Sequence, residues 1–368
     1  MRRLPDTGEN TSYTSTFGED NDYNFNTPFF ILNANGTVTD TITQLMWQQT
    51  EGAEMTYANA KIYCDTLTLG GYTDWRLPNA HESFSILNHQ YANPSLDLTV
   101  FSPTSAEYWW TGTLQSNDSN KVWVTNAGGG IGNHPKTETI SAGGSKRFQV
   151  RAVRDITVPQ MIANHFTDNG DGTITDHLTD LIWTKSPYID SITWEQALSY
   201  ADTLLYAGAN DWRIPNIKEL QSINEEVLIN PSINSVFFNS THANKFWSST
   251  TLPNQTNKSW YLDSQYGITT YDLKTNRHLI FCVRNKNVNT NINIIDNSKL
   301  IVYPNPFHAF INIVKTNGNE IYELVNNIGG VIYSGKNIQQ QDFTDLAKGI
   351  YFLKINNNTN SIVKLVKE

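Results

Sequence analysis

The sequence predicts an α+β chain: two tandem copies of one two-helix domain with an antiparallel sheet, then a small all-β sandwich. Three observations carry this reading. Asp74-Trp75-Arg76-Leu77-Pro78-Asn79 returns 137 residues on as Asp211-Trp212-Arg213-Ile214-Pro215-Asn216, and Asn93-Pro94-Ser95, Trp110 and Trp123 return at that offset as Asn230-Pro231-Ser232, Trp247 and Trp260. All ten Trp precede residue 261. From Leu300 onward only short apolar strands are legible. A period this long marks a whole domain rather than a solenoid unit of about 20–50 residues.

Residues 1–27 are polar, with little periodicity, and read as an extended lead-in. Repeat 1 covers 28–155. Asn35-Gly36 between Phe29-Phe30-Ile31 and Thr37-Val38-Thr39 signals a hairpin, and Leu45-Met46-Trp47 a short strand. Thr56 is placed to cap a helix carrying Tyr57, Ala60, Tyr63 and Leu67 at helical spacing, which Gly70-Gly71 ends. Asn79 then caps a helix over 80–87, and strands follow at 108–113, 121–126 and 148–154. Repeat 2, 156–286, repeats this order: a turn at Asp171-Gly172, helices from Thr193 and over 217–223, a helix-ending Gly208, and strands at 246–251, 259–263 and 279–284. An Asn-rich linker at 287–297 leads to the sandwich, 298–368, with six strands at 300–303, 310–315, 321–326, 331–334, 350–355 and 362–366.

The net charge is −9, and residues 298–368 carry seven Lys against five acidic residues, so the first 297 carry −11. That excludes nucleic acid as the main partner. No apolar run reaches the roughly 20 residues of a membrane span. Met1-Arg2-Arg3 leads into polar sequence rather than the apolar stretch of a signal peptide. Cys64 and Cys282 fall in different repeats, opposite Ala201 and Ala152. A bridge between them is one reading; two unpaired buried thiols is the other, and the favoured one.

In the repeated hexapeptide, Trp75 and Trp212 suit the core, Arg76 and Arg213 suit loop bracing, Pro78 and Pro215 set the turn, and Asp74 and Asp211 complete a structural motif. An acid–electrophile pair is the competing reading. Asp168-Asn169-Gly170-Asp171-Gly172 lacks the later Glu of a calcium loop and reads as a turn. The scattered His give no zinc spacing, and neither a metal nor a cofactor is expected. Trp247-Ser248-Ser249-Thr250 reads as a strand with a buried Trp before it reads as a sugar site.

The ordered set Asn/Asp-Gly-Thr-Val/Ile-Thr-Asp, Leu-x-Trp, Asp-Trp-Arg-Leu/Ile-Pro-Asn, Trp-Ser/Thr-x-Thr and Val-Arg resembles the Lcl C-terminal domain family, in two copies over about 28–284. That resemblance implies two tandem C-type-lectin-like domains with a long-loop ligand face on a secreted or surface-bound protein. The family's adhesin member implies glycosaminoglycan binding. The acidic repeats suit a sulfated polyanion poorly, and Leu77-Pro78-Asn79 and Trp247-Ser248-Ser249 lack the carboxylates of calcium-dependent lectins. A neutral glycan or a protein ligand is therefore expected. Tyr303-Pro304-Asn305-Pro306, then Lys348-Gly349-Ile350-Tyr351, then Val363-Lys364-Leu365 resembles a type IX secretion C-terminal sorting domain. It implies contact with secretion machinery, an extracellular or outer-surface destination, and a signal peptide upstream of the sequence as it begins here.

The ligand loops expected are 115–119, 126–146 and 264–276, with Tyr261, Asp263, Tyr266 and Tyr271 as candidate contacts. Two further classes compete with a non-enzymatic, adhesin-like binding protein. An extracellular enzyme of the formylglycine-generating kind needs paired reactive cysteines, and these two lie in different repeats. A structural surface-layer component would assemble without binding a glycan.

Overall fold

The computed structural model describes residues 3–101, 104, 107–138, 148–157, 165–240, 242–286, 301–303, 306–314, 321–326, 330–356 and 361–367. The chain is β-rich with few helices and divides into two compact units, Met1–Lys286 and Asn287–Glu368.

In the first unit, repeat 1 runs β1 (Phe30–Leu32), β2 (Thr37–Asp40), β3 (Leu45–Gln48), α1 (Tyr57–Thr66), α2 (Ala80–Ser85), β4 (Tyr108–Leu114), β5 (Lys121–Asn126), β6 (Ile131–Pro135), β7 (Phe148–Gln149) and β8 (Val153–Asp155). These form two sheets, ordered β1-β2-β3-β8 and β6-β5-β4-β7. The single strand expected over 148–154 is split because the chain changes sheets there: β7 pairs parallel to β4, and β8 pairs with β3. Repeat 2 runs β9 (Phe166–Asp168), β10 (Thr173–Asp176), β11 (Leu181–Thr184), α3 (Trp194–Asp202), α4 (Ile217–Ser222), β12 (Lys245–Thr251), β13 (Lys258–Asp263), β14 (Ile268–Leu273) and β15 (Val283–Asn285). Its sheets are β15-β11-β10-β9 and β12-β13-β14, and the place of β7 is taken by a lone parallel bridge from Phe246 to Leu279.

Local chemistry fixes these elements. Asn79 Oδ1 accepts from the Glu82 N–H at 2.8 Å while the Glu82 carboxylate accepts from the Asn79 N–H at 2.8 Å, and Asn216 and Glu219 do the same at 2.9 Å. Such a box holds the first turn of a short helix by about 1 kcal/mol. The α1 helix ends earlier than expected, at Thr66; Gly70-Gly71 instead turn the chain between bridged Leu69 and Tyr72.

The hexapeptide is a girder. Trp75 and Trp212 are buried. Asp74 pairs with Arg154 of β8 at 2.7 Å, and Asp211 with Arg284 of β15 at 2.6 Å. Arg76 grips both oxygens of Glu82 at 2.7 and 2.9 Å, and Arg213 both oxygens of Glu219 at 2.6 Å. Each motif thus ties its loop, a capped helix and the last strand together. The hydroxyl-rich run after Trp247 is wholly buried, with Ser248 Oγ donating to the Trp260 carbonyl, so it is a core strand. Cys64 and Cys282 are buried free thiols in separate clusters, the first beside Trp75 and Trp110 and the second beside Trp212 and Trp247.

The repeats are not beads on a string. One cluster draws Ala80, Trp123 and Ile131 from repeat 1 and Ile217, Leu252 and Trp260 from repeat 2. Helices α2 and α4 pack together, and β6 lies against β14. Ile131 and Thr269 occupy equivalent ladder positions, opposite Thr125 and Leu262, and the Ile131 N–H donates to Thr269 Oγ1 at 3.0 Å. Equivalent elements therefore meet each other, the geometry of an isologous dimer built within one chain. Gly129, at φ +100°, admits the Trp260 ring, since a Cβ there would stand 3.1 Å from Cζ2 and 2.8 Å from Ser95 Oγ.

The polar lead-in is extended, with only a 3-10 turn at Asp20–Asp22, but it is packed rather than loose. Asp6, Thr7, Glu9, Glu19 and Asp20 are buried. The segment runs as a strap from repeat 1, where the His89 N–H donates to the Thr7 carbonyl at 2.9 Å, onto repeat 2, where Thr250 Oγ1 donates to Asp20 at 2.6 Å.

In the second unit, β16 (Ile301–Tyr303) pairs with β17 (Asn312–Val314), and β18 (Ile321–Asn326), β19 (Val331–Gly335), β20 (Gly349–Asn356) and β21 (Ser361–Lys367) form a sheet ordered β19-β18-β20-β21. Phe307, Leu324, Phe343, Leu353 and Leu365 fill its core. Tyr303 lies in β16, Pro306 is exposed, Gly349 opens β20, and the buried Tyr351 donates its hydroxyl to the Ala347 carbonyl at 2.8 Å. Pro304, Asn305 and the 287–297 linker lie outside the described residues.

Candidate functional site

The expected ligand face is largely internal. Two of its loops contain strands: β6 lies in 126–146 and β14 in 264–276, and these strands form the contact between repeats. Residues 139–146 lie outside the described residues. Tyr261 is buried, its ring 6.2 Å from that of Trp247. Tyr266 packs on the shared core. Asp263 accepts from the Gln265 N–H at 3.0 Å in the β13–β14 turn. Tyr271 is exposed on β14, edge-on to Trp260 and beneath the Lys258 ammonium. The four residues do not converge on one surface.

A cleft of about 560 Å³ opens instead where α2 of repeat 1 meets α4 and the chain after it in repeat 2. Asn79, His81 and Glu82 line one wall. Ser222 and the run Asn224–Val227 line the other, and the Phe166 and Phe237 rings, 5.4 Å apart, supply apolar surface. The capping boxes set both helix starts, so the cleft walls are held by local hydrogen bonds and a shared core.

His81 Nε2 stands 2.7 Å from Glu226 Oε1 across the cleft. Burial opposes the charged imidazole, but the Glu226 carboxylate and the Asn224 carbonyl outweigh it, and the net shift of His81 is upward. Burial likewise opposes charge on Glu226, yet His81 draws it below the usual carboxylate range. The Asn224 side chain, 2% exposed, has neither amide atom hydrogen-bonded and is wedged against Gly267, whose lack of a Cβ makes room for it. A buried unpaired amide costs about 1–3 kcal/mol.

The same position in the other repeat is finished differently. Lys218 stands where repeat 1 has His81. Its ammonium donates to the Asp6 carbonyl at 2.8 Å and the Ser85 carbonyl at 2.7 Å. Burial lowers its pKa to about 8, with Asp6, Asp40 and Asp20 resisting. Burial raises Asp20 to about 8 and Asp6 to about 6, and pushes Glu9 well up. Two Thr hydroxyls, of Thr7 and Thr250, donate to Asp20.

His81, Asn224 and Glu226 were not singled out from the sequence. The available signal was a comparison of the repeats: His81 opposes Lys218, and Glu226 opposes His89. A second, shallower hollow of about 500 Å³ lies wholly in repeat 2, lined by Tyr188, Asp190, Gln196, Tyr200 and Arg277.

The model of the Lcl C-terminal domain matches residues 36–154 and 172–284. The model of the secretion system C-terminal sorting domain matches residues 301–368. No curated protein matches the chain in sequence.

Proposed function

From the premise that this chain belongs to the Lcl C-terminal domain family and carries a type IX sorting tail, which implies export to the cell surface or beyond, we propose that it is a non-enzymatic, adhesin-like binding protein. On this reading both repeats are C-type-lectin-like, and the ligand is an extracellular glycan or matrix protein. The observation that carries it is the cleft: a concavity between two repeats that share a core, with apolar rings on one side and the His81–Glu226 pair across it. Such clefts are the default binding sites of folded proteins. The ligand is taken between the repeats rather than on the tips of loops.

A second reading concerns where a glycan sits. The Tyr188 and Tyr200 rings, 4.3 Å apart, lie beside Arg277, Asp190 and Gln196, a mixture of aromatic faces and planar polar groups suited to a neutral sugar. The test is an array of glycans and matrix proteins, with and without calcium, probed with the full chain and with Val227→Arg and Tyr200→Ala. Val227 is exposed and lines the cleft. Binding lost in Val227→Arg places the ligand in the cleft, and binding lost in Tyr200→Ala places it in the hollow. Silence of the unmodified chain on every probe sinks the binding reading and favours a structural surface role.

A further inference from the structure

The groove occupied by the N-terminal strap and the open cleft are the same place, seen once in each repeat. Asn216 Nδ2 donates to Asp6 Oδ1 at 3.4 Å, Lys218 donates to the Asp6 carbonyl, the Asn88 side chain abuts Gly8, the His89 N–H donates to the Thr7 carbonyl, and the Gln90 Oε1 accepts from the Asn10 N–H at 2.7 Å. Their equivalents across the repeat are Asn79, His81, Glu225, Glu226 and Val227. All five of these line the cleft. Two of the five strap contacts are made to main-chain carbonyls, a mode that accepts an extended peptide without reading its side chains. The described residues supply one strap for two grooves.

We propose that the cleft takes in an extended peptide segment of a partner protein, bound as the strap is bound on the other side, with a lysine or arginine where the strap carries Asp6. This rests on reading the exported unit as a binding protein and names what the cleft holds. The basic residue follows from three exchanges between the grooves, all of one sign. Lys218 becomes His81, His89 becomes Glu226, and Asn88 becomes Glu225. Asp6 lies near Lys218 and Arg213 as well as Glu219, whereas the cleft carries Glu226, paired with His81 at 2.7 Å, and Glu225, which accepts from Asn234 Nδ2 at 2.8 Å, and its own arginine, Arg76, is held by Glu82 and by Asp155 at 2.8 Å. In repeat 2 the position of Asp155 is the neutral Asn285.

The test uses the full chain and two capped synthetic peptides spanning Leu4–Asn10, one natural and one with Asp6→Lys, titrated by fluorescence anisotropy. The Asp6→Lys peptide is expected to bind about tenfold or more tightly than the natural one. Val227→Arg in the protein is expected to weaken it about tenfold, and Glu226→Gln to erase the difference between the two peptides. Failure of both peptides to bind, equal binding of the two, or binding that Val227→Arg leaves unchanged overturns the inference. If the peptides fail while an array ligand is lost in Val227→Arg, the cleft still binds and only its assignment to a peptide falls. If array and peptides are both silent, both readings fall.

Discussion

His81 and Lys218 hold the same helical position in the two repeats, and each reaches out of its own repeat to bond with the other. Lys218 donates to the Ser85 carbonyl, and His81 pairs with Glu226. One junction is sealed from within the chain by Asp6, and the other is left accessible as the cleft. Lys218→Met leaves two buried carbonyls without their donor and is expected to cost about 2–5 kcal/mol in urea unfolding. His81→Ala is expected to cost less, since its side chain keeps 26% of its exposure. Equal costs for the two variants would show that the sealed and open junctions are energetically alike.

The strap makes stability fall as pH rises. Asp20 is raised to about 8 and Asp6 to about 6, burial being the main cause for each. In the unfolded chain both ionise near 4, so above that pH the unfolded state binds fewer protons than the native one. Their contribution is complete below about pH 4 and is lost between there and about 8. Lys218, lowered to about 8, reverses the slope above that, because the unfolded chain keeps its proton longer. Urea midpoints across pH 5–10 are expected to pass through a minimum near 8. Asp20→Asn is expected to flatten the descending limb, and an unchanged limb would remove Asp20 as its cause.

The two motif arginines are unequal. Arg213 and Glu219 are 4% and 8% exposed, whereas the Arg76 side chain is 37% exposed. Tyr23 and Phe25 of the strap lie over the Arg213 guanidinium at 5.1 and 5.2 Å. Arg213→Ala strands a buried carboxylate and is expected to cost about 3–5 kcal/mol. Arg76→Ala also strands a buried carboxylate, Glu82 being 3% exposed, but water reaches the vacated arginine site, and a somewhat smaller cost of about 2–4 kcal/mol is expected from chemical denaturation.

Both thiols are buried, and neither is expected to react in the folded protein. Burial pushes Cys64 and Cys282 up to about 12 each, leaving almost no thiolate at neutral pH. A thiol-reactive dye is expected to label neither until denaturant is added and both afterwards, and reducing agent is expected to leave the melting temperature unchanged.

Trp260 joins the repeats. It is buried beside Gly129, Gly130 and His89 of repeat 1 while belonging to β13 of repeat 2. Trp260→Ala is expected to cost about 3–5 kcal/mol. Repeat-specific hydrogen exchange should show both repeats loosening together; loosening confined to repeat 2 would mean that the shared core is not cooperative.

Much of the fold was legible because its signals are local. Thr56, Asn79 and Asn216 mark helix starts through hydrogen bonds only three residues long, and Asn35-Gly36 marks its hairpin through backbone geometry. Strands β6 and β14 are hidden in the sequence for different reasons. β6, Ile131-Gly132-Asn133-His134-Pro135, has poor strand propensity and forms because β5 offers it a ladder. β14 alternates visibly but lies inside the stretch expected to be a ligand loop. The cleft was not legible at all, since it arises where two repeats meet. The burial of Asp6 and Asp20 depends on Asn216, Lys218 and Thr250, more than 200 residues away, which no local pattern encodes.

The separation of the strap from its groove also sets an order of assembly. Asp6 leaves the ribosome well before Lys218, and Asp20 before Thr250, 230 residues later. At about 5–20 residues per second, the strap waits on the order of ten to fifty seconds for the surface it covers. During that interval its carboxylates are hydrated and charged, and it can dock only after both repeats exist. A segment that precedes both repeats in the chain is thus among the last to settle, so docking of the strap reports that both repeats have come together.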